Sequence, residues 1–207
     1  MGWYDFFSRF YDSSVEKLYV DTRVSAVEAL NLQPGQTVLD LPCGTGQAFE
    51  GLVGGVGDDG TVIGLDFSAG MLKKAEARVA QHQWTQVHLG QANVHDVTEA
   101  MLHEVSGQQR PLDRLHIFCG LSAFPEWEKA FETLWGLLRP GGRCVIVDCH
   151  AAKPGFQGRM VNLVARAEIQ RETWVPLEKV AQGFERRELP SLPQHGGTLV
   201  LASGDKS

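Results

Sequence analysis

Long apolar runs are missing from this chain: no stretch reaches the ~18 consecutive apolar residues that a membrane-crossing helix needs. The start, Met1-Gly2-Trp3-Tyr4-Asp5, lacks the basic residues and the continuous apolar stretch of a secretion signal. Cysteine is scarce, and Cys43, Cys119, Cys144 and Cys149 show neither C-x-x-C nor any other metal-ligand spacing. Three of the four fall in strand-like apolar runs, where a free thiol behaves as a small hydrophobe. A reduced, cytoplasmic protein without a bound metal is the expectation. Positive charge is also short: 19 Lys and Arg against 25 Asp and Glu leave a net charge of −6, so no overall basic field recruits nucleic acid. Internal repeats and low-complexity segments are absent. What is there is an ordinary globular composition, 43% hydrophobic and 21% charged over 207 residues, enough for a single domain with a full core.

The rest of the chain is organised around Thr37 to Phe67. Thr37-Val38-Leu39-Asp40 is a short β-branched, apolar run that stops at an acid and breaks into Leu41-Pro42-Cys43-Gly44-Thr45-Gly46. A helical segment follows, and Thr61-Val62-Ile63-Gly64-Leu65-Asp66 ends in a second acid 20 residues after Gly46. Strand, glycine turn, helix and parallel strand make one half of a nucleotide-binding α/β domain. Asp66, at the carboxyl end of the second strand, is placed to accept hydrogen bonds from both ribose hydroxyls of an adenosine. A dinucleotide site wants a third glycine for its pyrophosphate, and here Phe49 stands in that position. Asp40 would sit unfavourably beside a pyrophosphate, but it suits a ligand that carries an ammonium and a sulfonium, namely S-adenosylmethionine.

Asp40-Leu41-Pro42-Cys43-Gly44-Thr45-Gly46, Asp66 on the next strand, and Leu138-Arg139-Pro140-Gly141-Gly142 before a late strand resemble the class I S-adenosylmethionine-dependent methyltransferases. The likeness covers roughly residues 30 to 150 well and the rest loosely. It implies a Rossmann-like, mostly parallel seven-stranded sheet of order 3-2-1-4-5-7-6, with the last strand antiparallel and helices on both faces. It also implies a cofactor site built from Asp40, Pro42, Cys43, Gly44, Gly46, Asp66, Phe67, Met71, Gln91, Ala92, Asn93 and Cys119. Within that site Phe67 and Met71 stand near the adenine, although as core residues they would look the same. The family more often has Asp where Gln91 stands; the Gln91 carbonyl can accept from the adenine amine, and the next amide, that of Ala92, donates to a ring nitrogen. S-adenosyl-L-homocysteine would be the product.

The flanks are expected to cover the site. Residues 1–12 hold six aromatics, including Tyr4 and Tyr11 with hydroxyls to offer, and Asp12 or Ser13 caps a helix over 15–30 whose apolar positions include Val24, Val27 and Leu30. The resemblance makes 1–30 a lid; a plain hydrophobic patch is the alternative. After Gln47 to Val53, Ser68 caps a helix over 69–81 with Met71, Leu72, Ala75 and Val79 inward and Lys73, Lys74 and Arg78 outward. Strands are expected at 86–89, 112–119 and 143–148, with a helix from Pro125 to Leu138 and a closing hairpin over 184–189 and 198–202. Residues 153–182 form a helical insertion over the active-site edge. Its first part, 153–171, is a basic amphipathic helix with Lys153, Arg159, Arg166 and Arg171 against the single acid Glu168.

Methyl transfer is a displacement from a sulfonium, so the protein supplies orientation and, for an acceptor that must lose a proton, a base. His150, at the end of the fifth strand, is the candidate base; a polar residue that simply caps the strand is the plain alternative. Ser122, Tyr4 and Tyr11 are the candidate substrate contacts. No Asn-Pro-Pro-Tyr follows the fourth strand, which argues against amino methylation of nucleic acid. The aromatic lead-in and the size resemble ubiquinone/menaquinone C-methyltransferases and small phosphatidylethanolamine N-methyltransferases, whose acceptors sit in membranes. Both a soluble small molecule and a lipid-like acceptor with peripheral membrane contact stay open. An NAD-dependent oxidoreductase and a non-catalytic S-adenosylmethionine-binding module are the competing readings.

Overall fold

The computed structural model describes residues 18–207. Val20–Ala29 forms α1 and Thr37–Asp40 forms β1; α2 is Phe49–Val56, β2 Thr61–Asp66, α3 Ala69–His82 and β3 Val87–Gln91. Then come α4 (Glu99–Ser106), β4 (Leu112–Phe118), α5 (Trp127–Leu137), β5 (Leu138–His150), α6 (Phe156–Ala165), α7 (Val175–Val180), β6 (Gln182–Leu189) and β7 (Thr198–Asp205). Among the described residues the strands form one sheet, β3-β2-β1-β4-β5-β7-β6, in which β7 runs antiparallel to both of its neighbours. That is the order and direction the sequence implied.

Every residue of β1 and of β2 is buried, as expected of parallel strands with helices on both faces. Side chains alternate between two cores. Leu39, Leu115, Ile117 and Ile146 pack with Leu102 of α4, Phe131 and Leu134 of α5 and Leu177 of α7. Val38, Val145 and Val147 pack on the other face with Ala26 of α1, Leu52 of α2 and Leu72 of α3. The parallel crossovers bring the carboxyl ends of β1, β2, β4 and β5 to one edge, where loops can hold a ligand.

Several expectations are corrected. The expected helix over 153–171 is only Phe156–Ala165: Arg166 turns to φ 49°, and Asn162 Oδ1 then accepts from Ile169 N–H at 3.2 Å, folding the following loop back under the helix. Arg171 therefore leaves the basic face and turns inward. On α1 Thr22 and Ala26 are buried, the following Leu30 is buried as expected and Val27 packs against the same core, while Val24 is 53% exposed and leaves the expected apolar stripe. The segment Leu138-Arg139-Pro140-Gly141-Gly142 is not a turn outside the sheet but the beginning of β5. Leu138 pairs with Leu112, Gly141 N–H donates to Lys206 O, and Lys206 N–H donates to Gly142 O. The aromatic cluster at 3–11, the Asp12/Ser13 cap and the first part of the expected helix over 15–30 lie outside the described residues.

Candidate functional site

The glycine turn is held by its own backbone and by Asp66. Cys43 N–H donates to Leu65 O at 2.8 Å, and Gly46 N–H to Cys43 O at 2.9 Å. Asp66 accepts Gly44 N–H on Oδ2 at 2.9 Å and Ser68 N–H on Oδ1 at 2.8 Å. The second acid of the motif thus ties the turn to the start of α3, where Ser68 Oγ accepts Met71 N–H as the cap the sequence foretold. Burial raises the Asp66 carboxyl above its ordinary value, and the backbone N–H groups of Ser68, Gly44 and Phe67 pull it back. Each carboxylate oxygen keeps a further lone pair for a ligand hydroxyl.

Gly44 adopts φ +54°, and among the described residues a Cβ built on it would meet nothing within 4 Å, so these residues leave the space over the turn open to a ligand. Gly46 is different. A Cβ there would stand 2.5 Å from the Phe49 ring, and one on Gly64 would stand 2.8 Å from the same ring. Phe49 is fully buried in the hollow that the two glycines leave, so the ring in the third-glycine position is a packing element under the turn. Arg78, expected to point outward, donates from Nε to Thr45 O at 3.1 Å and braces the turn from α3.

Asp40, at the end of β1, is paired beneath the turn. Asp40 and His116 are directly opposite in the β1–β4 register, and His116 Nδ1 stands 2.7 Å from Asp40 Oδ1, with both residues buried. Nothing in the local sequence pointed to His116, which lies 76 residues from its partner. Cys43 is buried beside both acids; burial first, then the charges of Asp40 and Asp66, push its thiol up.

On the adenine side, Phe67 is exposed and Met71 buried. The Gln91 side-chain N–H donates to Phe67 O at 2.9 Å, which leaves its carbonyl oxygen as the group to accept from a ligand. Ala92 N–H already donates to Asp66 O at 3.1 Å, so the structure gives that amide a partner other than an adenine nitrogen. Asn93 Oδ1 accepts from His95 N–H at 3.2 Å.

The acceptor side is built where β4 and β5 end. Cys119 takes φ +53°, a left-handed turn that is costly for a non-glycine residue, and its N–H donates to Val147 O at 2.7 Å. Ser122 is buried, and its hydroxyl donates to Asp148 Oδ1 rather than facing solvent. Arg171 Nη1 donates to the carbonyls of Leu121, Ser122 and Phe124 at 2.9, 3.2 and 2.8 Å, and Glu168 N–H donates to Ser122 O at 2.7 Å. The loop after β4 is therefore clamped by the segment after α6. His150 is half-buried, its ring edge against Trp174 at 5.0 Å between centroids, and Nδ1 is 3.2 Å from Arg171 O. With the hydrogen on Nδ1, Nε2 keeps a lone pair. Tyr4 and Tyr11 lie outside the described residues. A cavity of about 310 Å³ lined by Thr37, Thr61 and Arg139 lies at the opposite, amino-terminal edge of the sheet.

Comparison with known proteins bears on this arrangement. The family described as "Methyltransferase domain" matches residues 32–189. Two relatives named demethylmenaquinone methyltransferase are similar. The Oceanobacillus iheyensis protein is 33% identical over 126 residues, 61% of this chain and 50% of that protein. The Desulfitobacterium hafniense protein is 29% identical over 163 residues, 77% of this chain and 61% of that protein. The chain thus spans about half to three fifths of the length of these curated relatives. In fold it is similar to geranyl diphosphate methyltransferase in complex with SAM (TM-score 0.74, 16% identity, 97% of this chain and 90% of that one).

Proposed function

The chain belongs to the methyltransferase-domain family, and from that membership we propose that it transfers a methyl group from S-adenosylmethionine to a lipid-like or small acceptor. The observation that carries the reading is the turn bounded by two buried acids: Gly44 open above, Asp66 bonded to Gly44 and Ser68, and Asp40 held below. Asp66 is the acceptor for ribose hydroxyls, Gln91 Oε1 for the adenine amine, and Asp40 the counter-charge for the methionyl ammonium. When bound, the cofactor supplies an electrophilic methyl group on sulfur. His150 Nε2 is the proton acceptor for a substrate that must be deprotonated, its ring oriented by Arg171 O and Trp174. Membership of this family, with Phe49 packed where a pyrophosphate site needs glycine, displaces the oxidoreductase alternative.

A quinone-type or other prenyl-like acceptor is favoured by the names of the relatives and by α6. Its Phe156 and Leu163 are 70% and 68% exposed and Met160 is also exposed, with Lys153 and Arg159 beside them. Among the described residues no helix is long and apolar enough to cross a membrane, so contact with a bilayer would be peripheral, through this face.

Calorimetric titration with S-adenosylmethionine and S-adenosylhomocysteine tests the cofactor. Micromolar binding that Asp66→Ala abolishes is expected; a wild-type protein that binds neither ligand overturns the reading. Formation of S-adenosylhomocysteine with a demethylated naphthoquinol presented in lipid vesicles then tests the acceptor class, and turnover with any acceptor removes the non-catalytic alternative.

A further inference from the structure

We propose that His116 is a positioning residue for the amino-acid end of the cofactor, acting through Asp40; this rests on the cofactor reading above. The pair is formed by neighbouring strands, since Asp40 of β1 lies opposite His116 of β4, and it sits directly below the glycine turn. His116 is fully buried and Asp40 is 2% exposed. A carboxylate only accepts hydrogen bonds, so the 2.7 Å contact puts the imidazole hydrogen on Nδ1, donating to Oδ1. The other ring nitrogen, Nε2, is buried without a hydrogen-bond partner among the described residues. The opposite tautomer would therefore break the contact with Asp40 and also bury an unpaired N–H, which is costly. One tautomer and one ring orientation remain.

The consequence falls on Asp40. Oδ1 is taken by His116, and among the described residues no hydrogen bond uses Oδ2. Asp40 lies close enough to Cys43 and Asp66 for its charge to raise the proton affinity of both. The carboxylate at the end of β1 would otherwise be free to rotate about its own bonds; His116 holds one oxygen, and the other is the one left for a ligand. A buried donor that orients a ligand-binding carboxylate acts as an outer-shell partner does at a metal site, where the ligand's own partner fixes its direction. The ligand group it serves is a primary ammonium. The adenosine half of the cofactor meets Asp66 and Gln91 instead and does not depend on His116.

This division gives a test. S-adenosylhomocysteine carries the amino-acid end and 5′-methylthioadenosine lacks it, so the ratio of their dissociation constants isolates the subsite. His116→Leu removes the donor and keeps an apolar side chain in the core. It is expected to weaken S-adenosylhomocysteine about tenfold or more, the usual reach of a lost charged hydrogen bond, and to leave methylthioadenosine within about twofold. His116→Asn, which carries an N–H near the Nδ1 position, is expected to restore most of the difference. If His116→Leu does not fold, His116→Gln, whose amide lies one bond too far along, is read in the same way. Equal weakening of both ligands, or no change in either, overturns the proposal while leaving the cofactor assignment intact. A wild-type protein that binds neither ligand removes the cofactor assignment instead.

Discussion

The carboxylate of Asp148 accepts twice from one residue: the hydroxyl of Ser122 on Oδ1 and, at 3.2 Å, the Ser122 amide on Oδ2. It is buried at the end of β5, and this burial raises its pKa from 3.8 to about 7 against the lowering effect of Ser122 and Arg171. The raised value means that the folded protein holds a proton that the unfolded chain has released. The stabilising contribution is therefore complete below about pH 4 and is lost as the pH rises to about 7, a span worth roughly 4 kcal/mol at about 1.4 kcal/mol per pH unit. Asp148→Asn mimics the protonated acid, with its amide donating to Ser122 Oγ and its oxygen accepting Ser122 N–H. Urea unfolding at pH 4.5 and pH 8 is expected to give near-equal stabilities for the two proteins at the lower pH and a more stable Asn variant at the higher. Parallel pH profiles would remove Asp148 as the titrating group.

Gly46 and Phe49 are coupled through the space between them. Gly46→Ala adds a Cβ at a φ of +76°, 2.5 Å from the ring. Left-handed backbone costs a non-glycine residue roughly 1–2 kcal/mol, and the overlap adds to it. In a Phe49→Leu background the overlap goes and only the backbone cost remains. Chemical denaturation of the wild type, the two single variants and the double variant is expected to show Gly46→Ala costing at least ~1 kcal/mol less in the Phe49→Leu background than beside the native ring. Additive costs would mean that the ring moves aside freely.

The exposed face of α6 makes a prediction about lipid. Phe156→Glu with Leu163→Glu removes two apolar side chains that are worth about 1.5–3 kcal/mol each when fully buried. Co-sedimentation with vesicles rich in phosphatidylglycerol is expected to pellet the wild type and to leave the double variant in solution, with binding of S-adenosylhomocysteine unchanged. Raising the salt concentration should weaken the wild-type association, because Lys153 and Arg159 contribute through screened charge. A wild type that ignores both anionic and neutral vesicles refutes docking by this face.

What the sequence determined by itself is local. The burial of β1 and β2, the glycine turn between them, the Ser68 cap and the acid 20 residues past the turn all follow from patterns a few residues long. Handed crossovers narrow the strand orders such patterns allow, and the order that is found is the one the resemblance to the class I methyltransferases implied. What only the tertiary structure decided is who stands opposite whom. Asp40 meets His116 across 76 residues, Ser122 meets Asp148 across 26, and Arg171 meets Phe124 across 47. None of these pairs leaves a periodic trace, because each depends on the register of neighbouring strands or on where a helix stops. The end of α6 shows why: the composition of 153–171 suits one long helix, yet Ile169 is buried by a loop whose anchor, Asn162, is a tertiary contact. Propensity acts over one or two turns, whereas burial of apolar surface acts between segments far apart in the chain and overrides it.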